Sequence, residues 1–298
     1  MYICSFYCLY ENDEKGTSRM RQPIAADRFY SGNSEKLKNE IKECFLGEFG
    51  PKKLPGKQDE SIFGVIAPHA GYPYSGQCQA WSYLELPKNK VFIILGTDHN
   101  GLGTCLSEED WETPLGVIKN NKGLTMILEK RGIPINNRAH GVEHSIEVQL
   151  PFLQYICGEV SFVPINVSHD KDLNEITEAI FKSIEEFDQE VIIICSGDFT
   201  HYGKSYGYVP FKENVKEELE KLDKKAIDFI INLDSKGLLD YIEKTGATIC
   251  GSNGYVVFIE ICKLLGAQNL GLKQYYTSGE ISDDFSNCVG YASIIAQK

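Results

Sequence analysis

The sequence has no window near the roughly 18 unbroken apolar residues that a membrane-spanning helix needs, which argues against a helical membrane protein. It has no run of lysine or arginine either. Its 30 basic residues face 42 acidic ones, a net charge of −12, so long-range attraction to nucleic acid or to an anionic lipid surface is disfavoured. No CxxC pair occurs among the 10 cysteines, and the closest pair, Cys4 and Cys8, lacks the third cysteine of an iron–sulfur motif. Scattered cysteines of this kind point to thiols kept reduced in a cytoplasm rather than to a disulfide-rich secreted module. Internal repeats, low-complexity tracts and a Pro/Gly/Ser linker are also missing. The apolar opening MYICSFYCLY has no basic leader and runs into Glu11-Asn12-Asp13-Glu14, so residues 1–20 read as an extension rather than a signal peptide, and 21–298 as one domain.

What is present alternates. Ile62 to Ala67, Val91 to Leu95, Val160 to Val167 and Val191 to Cys195 are short, nearly continuous apolar runs rich in β-branched residues, as strands buried on both faces must be. Between and after them, Ser75 to Leu86, Ile146 to Ile156, Leu173 to Phe187, Val215 to Leu233, Lys236 to Thr245 and Gly254 to Leu265 carry apolar residues at helical spacing. Leu272 to Ile281 and Val289 to Ile295 read as a closing pair of strands, and Gly47 to Gly56 as a loop. The alternation predicts an α/β fold: a single domain with a central, largely parallel sheet flanked by helices.

Chemistry-bearing residues gather at the ends of those strands. The first run leads into Pro68-His69-Ala70-Gly71-Tyr72, the second into Gly96-Thr97-Asp98-His99-Asn100, and the fourth into Ser196-Gly197-Asp198-Phe199-Thr200-His201. Taken singly, each histidine reads as a hydrogen-bonded loop residue. Three in the same position, just past a strand's carboxyl end, point to the crevice in which open α/β sheets bind ligands. Glu143 and His144 sit in a further polar cluster before a helix and are candidate pocket residues, whereas His169 leads into an acidic helix start and reads as structural. Imidazoles joined by a thiolate suit iron, copper or zinc rather than magnesium or calcium. Spacing leaves open which cysteine joins them. The best local candidate is Cys250, in a glycine-bearing loop ahead of a helix whose N-terminus favours a thiolate.

These motifs resemble the Memo family, named for mediation of cell motility in animals, found also in bacteria and archaea, and related in fold to class III extradiol dioxygenases. The resemblance rests on Arg28-Phe29-Tyr30 with Gly32, Ala67 to Tyr72, Ile94-Leu95-Gly96 with His99, and Glu143 to Glu147. It continues through Leu150-Pro151, Ser196 to His201, Thr248 to Gly251 and Gly290-Tyr291-Ala292, in order from about residue 21 to the C-terminus. It implies metal ligands at His69, His99 and Cys250, with pocket residues at Phe29, Tyr74, Asp198, Phe199 and His201. Two departures bear on pocket shape. The family often has a tryptophan where Phe29 stands and a Ser-His pair where Asp98-His99-Asn100 stands.

The resemblance implies redox chemistry at iron(II) or copper, zinc fitting less well because a structural zinc site closes with four protein ligands and only three can be named. Related dioxygenases hold iron with two histidines and a carboxylate; here Cys250 takes the carboxylate's place, so ring cleavage does not carry over. In this reading His201, oriented by Asp198, moves a proton, Glu143 and His144 complete the surroundings of the ligands or bind substrate, and Phe29, Tyr74 and Phe199 face the ligand. The alternative is a non-catalytic module that binds a phosphotyrosine peptide in the same cleft, with partners in signalling. A chain of net charge −12 attracts phosphopeptides weakly.

Overall fold

A computed structural model describes residues 20–267 and 269–298. The expected extension, with Cys4 and Cys8, lies outside the described residues apart from Met20.

The strands are β1 (Met20–Arg21), β2 (Ile62–Ala67), β3 (Val91–Thr97), β4 (Cys105–Leu106), β5 (Asp110–Thr113), β6 (Gly116–Asn120), β7 (Ser161–Val167), β8 (Val191–Ser196), β9 (His201–Gly203), β10 (Asn269–Thr277) and β11 (Asn287–Gln297). They form one mixed sheet in the order β1-β5-β6-β7-β3-β8-β2-β11-β10, with β4 on β7 and β9 on β11. The four middle strands, β7, β3, β8 and β2, are parallel, as their unbroken apolar sequences require. Towards the ends the sheet departs from the expected parallel arrangement. β5–β6, β2–β11 and β11–β10 are antiparallel pairs.

Alternation along each middle strand divides the core between two faces. On β3, Val91, Ile93 and Leu95 join a cluster with Ile176 and Ile180 of helix Leu173–Glu186 and Val257 and Ile261 of helix Ser252–Leu264. Phe92 and Ile94 point the other way, to Leu37 and Ile41 of helix Ser34–Leu46 and to Ala80 and Tyr83 of helix Tyr72–Tyr83. Helices therefore cover both faces of the parallel centre. Ser278–Ser282, inside the stretch expected to be strand, is a short helix closed by a capping box between Thr277 and Glu280. None of the described helices is long and apolar enough to cross a membrane.

Because β3, β8 and β2 are adjacent and parallel, their carboxyl ends lie side by side. His69 follows β2, His99 follows β3, and His201 opens β9 after the loop from β8. β9 pairs antiparallel with β11, Val289 opposite His201, which ties the third histidine back to the sheet.

The helix Val215–Ile231 is locked beneath this edge by Asp223, fully buried, whose carboxylate accepts from the Thr200 backbone N–H (3.1 Å) and the Tyr275 hydroxyl (2.9 Å). Burial pushes its pKa up from the usual 3.8 to about 6, against the pull of those hydrogen bonds. A pKa raised by folding favours the protonated native state, so its contribution is full below about pH 4 and lost as pH rises through 6. Relative to Asp223→Asn, the natural protein should gain about 2 kcal/mol between pH 7 and pH 4, since each pKa unit is worth about 1.4 kcal/mol and the linkage is complete only below the unfolded pKa. Paired urea melts across that range check this; a pH-independent difference would refute it.

Candidate metal centre

The three histidines meet in one cleft of about 760 Å³, whose wall includes Phe29, His69, Tyr74, His99, His144, Asp198, His201, Tyr206 and Tyr291, with Cys250 packed behind His69. Ligand atoms of His69, His99 and Cys250 lie within 4.8 Å of one another. His69 is almost fully buried, and His99 opens to solvent. The His69 Nε2 lies 3.1 Å from the Cys250 Sγ, and its Nδ1 lies 3.2 Å from the Ser196 hydroxyl. The sulfur accepts from the Asp198 backbone N–H at 3.3 Å. This contact is possible because Gly197 and Gly251 pack backbone against backbone. A Cβ on Gly197 would sit 2.9 Å from the Gly251 Cα and 2.7 Å from the Tyr255 hydroxyl.

His99 is set by Glu143. That carboxylate, on a buried side chain, accepts from the His99 ring Nδ1 (2.9 Å), from the His99, His144 and Ser145 backbone N–H groups (3.0, 2.9 and 2.9 Å) and from the Asn100 side chain (3.3 Å). Burial alone would raise the Glu143 carboxyl; the His99 hydrogen bond and charge, with the Ser145 N–H, bring it down to about 2. Burial opposes charge on His99 as well, yet Glu143 outweighs it and the His99 pKa is raised. A carboxylate has no proton to give, so the His99 Nδ1 carries the hydrogen and its Nε2 lone pair is free. His201 is held the same way by two acceptors, its Nδ1 lying 3.1 Å from the carbonyl oxygens of both Phe199 and Thr248.

The remaining groups are kept neutral. Burial, with neighbouring His99, His144 and His201, pulls the His69 pKa well below its ordinary value. Burial likewise brings His144 down to about 4, its ring stacked between Phe29 (centroids 4.4 Å) and His99 (4.9 Å). The expected thiolate at Cys250 is not what the metal-free pocket favours. Helix Ser252–Leu264 does start just beyond it, but burial first and then Asp198 push the thiol pKa well up. A cation placed among these donors would remove both penalties, since a coordinated thiol is deprotonated. Two imidazoles and a sulfur within reach of one another make a donor set that fits iron, copper or zinc.

The match to a family is decided by the whole chain. Residues 21–295 match the family model described as Memo-like protein. The chain is 37% identical over 291 residues to a MEMO1 family protein of Methanopyrus kandleri, covering 93% of this chain and 99% of that one. A MEMO1 family protein of Desulfurococcus amylolyticus is also 37% identical, over 93% and 98% of the two chains, and one of Pyrococcus furiosus is 36% identical, over 94% and 99%. The chain belongs to the Memo family.

Most of the Memo residues expected at the site converge, and some take other roles. His69, His99 and Cys250 come together, and Phe29, Tyr74, His144, Asp198 and His201 line the cleft around them. Phe199 does not. Along that loop Asp198 faces the cleft, while Phe199 is fully buried, stacked on Tyr255 with ring centroids 5.3 Å apart. Asp198 does not hold the His201 ring either. One oxygen accepts from the His69 backbone N–H at 2.8 Å and the other lies 3.9 Å from the His69 Nε2, while backbone carbonyls take the His201 proton. Glu143 acts on the His99 ring from behind and is not part of the cleft wall. His169 sits apart, in contact with the Asn253 side chain.

Sequence reading passed over Ser196, Gln149 and Glu147 as functional residues. Glu147, fully buried, pairs with Arg21 at 2.6 Å and accepts from the Ile24 and Ala25 N–H groups and the Tyr30 hydroxyl. It thereby pins the segment that presents Phe29 to the cleft. A glutamate between apolar residues in Ile146-Glu147-Val148 was the available signal, because a buried carboxylate needs partners.

Glu143→Ala should strip the acceptor from three backbone N–H groups and a ring nitrogen at once, lowering stability by about 3 kcal/mol or more. Glu143→Gln, which keeps an oxygen there, should lose less. Urea midpoints for the two variants check this; an alanine variant as stable as the natural protein would remove Glu143 as the organiser of the loop.

Proposed function

We propose that this Memo chain is a metal-dependent redox protein. In this reading, iron(II) or copper is held by His69, His99 and Cys250, and His201 handles protons beside it. The single observation that carries the reading is the convergence of those three donors within 4.8 Å at the floor of a wide cleft whose wall includes His69, His99 and His201. Three protein ligands leave positions open, as redox-active and catalytic sites require and structural zinc sites do not. When bound, such a metal supplies one-electron chemistry towards oxygen or a reducing substrate.

The chain's own groups supply the rest. With its Nδ1–H committed to two carbonyls, His201 offers the Nε2 lone pair to the cleft as a proton acceptor and can return that proton afterwards. The T-shaped contact between His201 and Tyr206, centroids 5.1 Å apart, limits how far that ring can swing. Phe29, Tyr74, Tyr206 and Tyr291 offer aromatic faces for an organic substrate.

The phosphotyrosine-binding alternative lacks support at the cleft. Among the described residues of the wall there is no lysine or arginine, and Asp198 and Asp284 are present. A phosphate there would meet histidines only, without the arginine forks that usually bind it.

Protein purified without oxygen should carry about one iron or copper per chain, and Cys250→Ser should lose most of it while keeping its circular dichroism spectrum. Full retention by that variant would move the metal elsewhere. Loaded His201→Ala should keep its metal and lose oxygen uptake by about 10²–10⁴-fold, the usual span of a general acid–base contribution. If the loaded natural protein consumes no oxygen with any reductant and binds a phosphotyrosine peptide tightly, the redox reading is wrong.

A further inference from the structure

A histidine can ligate through either ring nitrogen, and the partner of the other nitrogen decides which. For His99 and His201 the partners are acceptor-only oxygens, so the choice is made. For His69 the partner is a hydroxyl, which could donate or accept. The surrounding bonds remove that freedom. The Ser196 Oγ lies 2.7 Å from the Ser145 carbonyl oxygen, which can only accept, so the one hydroxyl proton of Ser196 is spent there. Gln149 Nε2 lies 2.9 Å from the same Oγ and also 2.9 Å from the Pro68 carbonyl oxygen, which requires a nitrogen at that end of the amide. The other end is fixed too. Gln149 Oε1 accepts from the Tyr83 hydroxyl at 2.8 Å and from the Gln79 side chain at 2.7 Å. Ser196 thus donates once and accepts from Gln149, and the only role left towards His69 is to accept from an Nδ1–H.

We infer that Ser196 is a positioning residue that locks His69 in the Nδ1–H tautomer, so that its Nε2 lone pair faces Cys250 and the bound metal. Gln149 and the Ser145 carbonyl act by saturating Ser196. All four groups are buried, out of reach of water that could satisfy the other arrangement. The same bonds connect the two metal-facing imidazoles. Ser145, whose carbonyl takes the Ser196 proton, gives its own N–H to Glu143, and Glu143 holds His99. His69, Ser196, Ser145, Glu143 and His99 form one chain of polar contacts behind the ligands, so a change at Ser196 reaches both rings. The inference rests on the metal reading only for its consequence; the tautomer is a property of the metal-free protein.

The test is nitrogen-15 NMR of the histidine rings in metal-free protein, together with copper(I) affinity measured against a chromogenic chelator. The natural protein should show His69 protonated at Nδ1. Ser196→Ala should move it towards the Nε2–H form and weaken copper(I) about 10–100-fold, the usual effect of removing such a supporting contact. Ser196→Thr, which keeps the hydroxyl, should restore both. Finding His69 protonated at Nε2 in the natural protein overturns the inference without any variant. So does a Ser196→Ala protein with unchanged tautomer and affinity. If the tautomer depends on Ser196 as expected but the natural protein takes up no copper(I) or iron(II), the tautomer lock stands and the metal reading fails.

Discussion

The site depends on where one turn, residues 143–147, puts two buried carboxylates. Glu143 gathers N–H groups from its own loop and from the loop after β3, and Glu147 gathers them from the segment 21–30. Each carboxylate would be expensive to bury alone, and each is offset by several donors and a charged or titratable partner, Arg21 for Glu147 and His99 for Glu143. Three stretches of chain, far apart in sequence, are therefore fixed to one another through a five-residue turn. The cleft wall inherits its geometry from these bonds, since Phe29, His99 and His144 all hang from them.

Around this frame the described cleft wall carries no lysine or arginine. Neutral buried imidazoles in an acidic chain of net charge −12 leave the pocket little to attract an anion. Asp198 is itself pushed up by burial, with His201 pulling the other way, and the described cleft wall holds no arginine or lysine beside it.

Much of this was legible in the sequence where local pattern and long-range placement agree. The four apolar runs became the parallel centre because a strand covered on both faces has no reason to alternate. From that, the position of His69 and His99 past the strand ends followed directly. The short strands β4, β5, β6 and β9 were not legible, for they are two to five residues long and exist because a neighbouring edge is there to pair with. The helix Ser34–Leu46 was missed although Asn33 caps it and Leu37, Ile41, Cys44 and Phe45 bury one face. Within the site, His69 and His99 could be named from their place past the strand ends, and Cys250 from its glycine-bearing loop and the family resemblance. Phe199 could not be told from Asp198 by sequence, since one residue's difference in a loop decides which side chain faces the cleft. Ser196 and Gln149 carry no signal of their own; their roles come from partners brought in from other elements.

The strand β11 gives the site a history as well as a shape. It pairs with β2 by setting Ile294 opposite Ile66, pairs with β10, and holds β9 through Val289 opposite His201. The strand is the last element of the chain, so these pairings wait on its synthesis. During synthesis, the parallel centre and the turn at Glu143 can be in place while β11 is still to come. His69 and His99 can then lie side by side before β11 arrives to pair with β9 at His201.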